Sequence, residues 1–89
     1  MTLKEFVKDP VALLDYSFDW SLWLKTDTIA TANWTSNGLV QSSTSISGTI
    51  TTIWLSGGIA GERYIVTCRI TTAGGRTDER SIAINIQER

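Results

Sequence analysis

Strict alternation marks the stretch 14–22. Every even residue (Leu14, Tyr16, Phe18, Trp20 and Leu22) is apolar, and every odd one from Asp15 to Ser21 is polar. A period of two is the pattern of a half-buried strand. A helical reading also exists, because Leu13, Tyr16, Trp20, Trp23 and Leu24 share one helix face. That reading leaves Phe18 and Leu22 off the stripe. It also sets Asp15, Ser17, Asp19 and Ser21 inside a helix, where such side chains compete for the backbone. The pattern therefore predicts a strand over 13–20 with Leu14, Tyr16, Phe18 and Trp20 inward. The period fails at Trp23 and Leu24, which are expected in a bend that tucks under the sheet.

Further strands follow. Residues 27–35 read as a second strand with Ala30, Ala32 and Trp34 inward. Ile29 then points the wrong way, which calls for a bulge. Asn37-Gly38 is a turn signal. Residues 39–46 form a polar strand suited to a sheet edge. Residues 49–55 are ambiguous: either Ile50, Thr52 and Trp54 face inward, or Ile53 and Leu55 do. After the glycine-rich 56–62, residues 63–72 alternate cleanly with Tyr64, Val66, Cys68 and Ile70 on one face. Gly74-Gly75 permits a tight hairpin turn, and 80–87 alternates again with Ile82, Ile84 and Ile86 inward. Six or seven short strands with closely spaced turns predict an immunoglobulin-like antiparallel β-sandwich.

Residues 1–12 stand apart from this pattern. Asp9-Pro10 resembles a helix start, but no more than one turn fits before the alternating stretch. The expected organisation is an N-terminal arm over 1–12 and an Ig-like domain over 13–89. Leu3, Phe6 and Val7 make the arm more apolar than a free tail requires.

Composition narrows the function classes. The chain has 89 residues, thirteen Thr and nine Ser, one proline and a net charge of −1 with acids and bases interspersed. β-Branched Thr suits strands. A domain this small sits near the lower limit of comfortable stability and gains from neighbours. The charge balance argues against nucleic acid and against an electrostatic membrane surface. No apolar run approaches the length of a membrane span. No signal peptide is visible at the N-terminus.

Candidate chemistry is sparse. Histidine is absent, which removes the commonest general base and metal ligand together. Cys68 is the lone cysteine and lies on the inward face of an apolar strand, where a thiol is inert. Asp15 and Asp19 stand four residues apart on one strand face, roughly 13 Å, too far for a glycosidase pair. The loop "GGIAG" lacks the Lys-Ser/Thr of a phosphate loop and precedes a strand, so its glycines read as punctuation. Asp78 and Glu79, with Arg76 and Arg80, read as a solvated hairpin base. The four tryptophans suit core and interface packing. An exposed aromatic row would instead suit a sugar-binding module. No catalytic residue, cofactor or metal site is expected.

The ordered segments "KDPVALLDYSFDWSLWL", "DTIATANW" and "IWLSGGIAGERYIVTCRITTAGGRTDERSIAINIQER" resemble short structural proteins of phage and prophage virions, the fibre–tail adaptors. Each motif alone is weak; their order and spacing span nearly the whole chain. The resemblance implies a nonenzymatic virion component, assembled in the host cytoplasm and present in several copies in a symmetric assembly. Its implied partners are other virion proteins of the tail, fibre, neck or capsid, and a capsid decoration protein is the neighbouring alternative. The expected contacts are Leu3, Phe6 and Val7 of the arm and Trp23 at the bend. The polar edge 39–47 and the hairpin residues Arg76, Asp78, Glu79 and Arg80 add polar contacts or strand addition.

Overall fold

A computed structural model describes residues 4–88 of the chain. Their elements run β1 (Lys4–Lys8), β2 (Leu14–Asp19), α1 (Ser21–Leu24), β3 (Ile29–Thr35), β4 (Val40–Ser47), β5 (Ile50–Ser56), β6 (Arg63–Thr72) and β7 (Thr77–Ile86). One sheet has the order β1-β7-β6-β3 and the other β2-β5-β4. β1 lies parallel to β7, and every other pairing is antiparallel. The result is the expected Ig-like sandwich.

The core follows the period of two. Tyr16, Ile53, Leu55, Val66, Ile82, Ile84 and Ile86 are buried together with Leu39. A second buried cluster joins Trp20, Leu24, Cys68 and Ile70. Phe18 and Trp34 stack at 5.7 Å and pack against both clusters. Each fully buried isoleucine contributes about 1.5–3 kcal/mol relative to exposure.

Pairing resolves the ambiguous strand. Ile53 lies opposite Tyr16, and side chains directly opposite share a face. Ile53 and Leu55 therefore turn inward with Thr51, while Ile50 and Trp54 stay exposed. The buried Thr51 hydroxyl accepts the Trp20 indole N–H at 3.0 Å. In β3 the register shifts between Ile29 and Thr31. That bulge turns Ile29 inward beside Ala32 and Trp34 and leaves Ala30 exposed, the reverse of the simple alternation.

The bend at the end of β2 is one helical turn. The Ser21 N–H donates to Asp19 Oδ1 at 2.9 Å, and the Leu24 N–H reaches the Trp20 carbonyl at 2.9 Å. The turn inserts Leu24 into the core and rotates Leu22 into solvent, 91% exposed. Leu14 is also exposed, so the expected inner row of β2 shrinks to Tyr16, Phe18 and Trp20.

The stretch 1–12, expected as an arm apart from the sandwich, supplies it with a strand over Lys4–Lys8. The parallel ladder to β7 holds this edge, and Lys8 anchors its end. Its side chain is buried, and its Nζ donates to the carbonyls of Asp9 at 2.9 Å and Gly57 at 2.8 Å. Burial lowers its pKa because desolvation disfavours the ammonium. Pro10 follows in a single turn, with the Val11 N–H on Asp9 Oδ1.

Candidate protein-binding site

β7 outruns its cover. By period two, Asp78 and Arg80 share the inward face of Ile82, Ile84 and Ile86, but they lie where the two sheets part. A cleft of about 660 Å³ opens there between β1, β2 and β7. Phe6, Tyr16, Phe18 and Ile82 line its apolar part, and Asp19, Asp78, Glu79, Arg80 and Lys4 its charged rim. Phe6 meets Tyr16 edge-on at 5.2 Å between ring centres.

The rim is partly preorganised. The Arg80 guanidinium lies 4.3 Å from the centre of the Trp20 ring, and its Nη1 donates to the Asp19 carbonyl at 2.7 Å. Cation–π contact and hydrogen bond together fix its direction. The Ser21 backbone N–H holds the Asp19 carboxyl below its usual pKa, and Thr49 adds a further hydrogen bond. The Glu79 N–H donates to Asp78 Oδ1 at 2.9 Å. Burial raises the pKa of Tyr16, and its hydroxyl is buried without a hydrogen-bond partner among the described residues.

A second cluster closes the same end of the molecule. The Asp27 carboxylate accepts the backbone N–H groups of Thr28 and Gly74 and the Arg76 Nε–H. These bonds, led by one from the Thr72 hydroxyl, lower its pKa to about 2. Arg76 also donates to the carbonyls of Trp23 and Leu24, which satisfies the end of α1, and it lies 4.3 Å from the Trp23 ring centre. Gly74 is needed here, since a Cβ would come within 2.8 Å of Asp27 Oδ2.

The structure thus divides the expected contact residues. Phe6, Asp78, Glu79 and Arg80 converge on the cleft. Trp23 and Arg76 instead pack on each other and tie α1 to the β6–β7 turn. Val7 lies on the outer side of β1, 42% exposed. Leu3 lies outside the described residues. The cleft also recruits Tyr16, Phe18, Asp19 and Lys4, which the sequence reading placed in the core, on a strand face or in the arm. Only the two-sheet packing brings them together.

Trp54 was the other omission. Trp20 is fully buried, Trp23 and Trp34 are partly covered, and Trp54 is 40% exposed. It sits between Asp15 and Ser43 across the sheet. These tryptophans therefore form no exposed row of the kind a sugar platform uses. Cys68 is fully buried and its pKa is raised by that burial. Among the described residues no cluster of Cys, Asp and Glu could hold a metal ion, and no helix is long and apolar enough to cross a membrane.

The chain is thus a two-sheet Ig-like frame with an apolar, charge-rimmed cleft. Comparison with known proteins gives the family. Residues 8–85 match the family model described as podophage GP4 fiber-tail adaptor protein gp77. The chain belongs to that family of phage structural adaptors. No curated protein sequence matches it. Among solved structures it is similar to the solution structure of the PKD domain from KIAA 1837 protein, with a TM-score of 0.51 and 16% identity. That match covers 97% of this chain and 80% of the other, and supports the Ig-like fold alone.

Proposed function

We propose that the chain joins tail and fibre components of the virion by seating a segment of a neighbouring protein in the cleft between β1, β2 and β7. The observation that carries this reading is the convergence of Phe6, Phe18, Asp78, Glu79 and Arg80 from three strands on one opening. An apolar side chain of the partner packs between Phe6, Tyr16 and Phe18. On the rim the carboxylates of Asp19, Asp78 and Glu79 outnumber the cations Lys4 and Arg80, and Arg80 is directed by Trp20 and the Asp19 carbonyl. The fitting segment therefore carries Lys or Arg beside its apolar residue. The exposed Val7 offers a separate apolar contact on the outer side of β1. Several copies act together in a symmetric assembly built in the host cytoplasm.

The test is incorporation into particles. Asp78→Lys combined with Glu79→Lys reverses the rim charge on an open surface. The variant is expected to keep the wild-type circular dichroism and melting temperature yet be missing from purified particles. Normal incorporation would sink this reading. Locating the wild-type protein in separated tails and heads tests its placement: recovery with the heads would replace the tail–fibre role by capsid decoration.

A further inference from the structure

We propose that β4 is a second contact surface, and that it pairs antiparallel with the β4 of another copy of this chain across a two-fold axis. Two three-stranded sheets would then become one of six strands. This inference stands apart from the cleft and from the partner seated there.

The backbone geometry comes first. β4 ends the sheet β2-β5-β4, and all of its eight residues are exposed. The Trp20 N–H donates to the Thr49 carbonyl at 2.9 Å. In an antiparallel ladder the bonded pairs alternate. Thr51 and Ile53 therefore address β2, while Ile50, Thr52 and Trp54 address β4. Their partners on β4 are Ser47, Ser45 and Ser43. Thr44 and Ile46 must then aim their N–H and C=O groups away from the sheet. These groups form a template for a further strand.

Charge argues for the occupant. Edge strands are usually guarded by Lys, other charges or proline. β1 carries Lys4, Glu5 and Lys8, and β2 carries Asp15 and Asp19. β4 carries no ionisable residue, and none occurs anywhere in 28–61. Two copies of β4 meet without like-charge repulsion, whereas self-pairing of β1 or β2 would oppose like charges. A two-fold contact must be self-complementary. An antiparallel pair of this Ser/Thr strand sets hydroxyl residues against hydroxyl residues. β3 is equally uncharged, but part of its edge is taken, because the Gln41 amide donates to the Trp34 carbonyl at 3.2 Å. Apolar surface adds to the case. Ile46 lies opposite the buried Thr51, hence on the inner face, yet it is 43% exposed. A second copy extending the sheet covers it.

Sedimentation equilibrium of the full chain across a wide concentration range tests this. The expected result is a dimer that dissociates on dilution. Thr44→Pro removes one outward N–H and no bond to β5, and Thr44→Lys sets two ammonium groups near each other across the axis. Both should keep the monomer fold by circular dichroism and weaken dimerisation at least about tenfold, the equivalent of 1.4 kcal/mol. The lysine variant decides the matter if the proline variant misfolds. The cleft variant Asp78→Lys/Glu79→Lys should dimerise as the wild type does, so failure of either site is read separately. A wild type that stays monomeric at the highest concentration overturns the proposal. So does a dimer indifferent to Thr44→Lys, or growth beyond two copies. Loss of particle incorporation by Thr44→Lys with a monomeric wild type would assign β4 to a different virion protein.

Discussion

The two lateral sides of this sandwich are finished in opposite ways. On the β1/β2 side, Phe6, Tyr16 and Phe18 stand beside Asp19, Asp78, Glu79 and Arg80. Side-chain charge and aromatic shape dominate that side. The edge strands β3 and β4 carry no ionisable residue of their own, and β4 presents backbone and hydroxyls. The difference teaches that one small Ig-like frame can finish its two sides in two ways, with charge and aromatic rings on one and an open backbone ladder on the other.

Four changes test that contrast, from the largest effect to the smallest. Trp20→Ala removes a fully buried indole, its bond to Thr51 and the platform beneath Arg80. It should cost about 3–5 kcal/mol in urea unfolding. Its structural effect should centre on α1, β6 and the Arg80 end of the cleft, read by amide exchange that rises there before it rises in β4. Equal loosening of both sides would mean that they are not separable. Gly58 comes next. It has φ +102, and a Cβ there would meet Ile86 at 2.7 Å. Gly58→Ala should cost about 1–3 kcal/mol by backbone strain and overpacking, while Gly48→Ala, which meets nothing within 4 Å, bears only the strain and should cost less.

The third change is acid. Asp27 has its pKa lowered to about 2, below the ordinary value near 4 of an unfolded chain. A depressed carboxylate stabilises the fold above its unfolded pKa and loses that contribution as protons bind through the folded one. Urea midpoints should therefore fall from about pH 4 to about pH 2, and Asp27→Asn should flatten much of that slope. An unchanged slope in the variant would show that Asp27 does not clamp α1 to the β6–β7 turn. The smallest effect belongs to Arg63→Gln. The Glu5–Arg63 pair at 3.3 Å is half exposed on both partners, and such surface pairs are worth little. No resolvable change in the denaturant midpoint is expected. A clear loss would mean that the outer face, and not the cleft, carries the electrostatics of the β1/β2 side.

Much of the fold was legible because alternation is local. The inward rows of β6 and β7 needed no partner to be read, and the misfit of Ile29 announced its bulge. The contact residues were less legible. Phe6, Asp78, Glu79 and Arg80 were visible as apolar or charged points, but nothing in their spacing joined β1 to β7. The contact between Trp23 and Arg76 was equally hidden, since 53 residues separate them in the chain. Trp54 was passed over because its strand supports two phases and the wrong one buries it.

The sequence by itself determined the period of two, the turns, the polar character of 40–47 and the absence of charge from 28 to 61. These are properties of neighbouring residues. Tertiary structure decided which phase of β5 faces inward, because Tyr16 lies across from Ile53. It decided that 4–8 would be a strand, because β7 offers it a parallel ladder and Lys8 finds the Gly57 carbonyl. It also gave the uncharged stretch its meaning. Packing placed that stretch at an open sheet edge, where backbone groups without a partner strand can act on another chain.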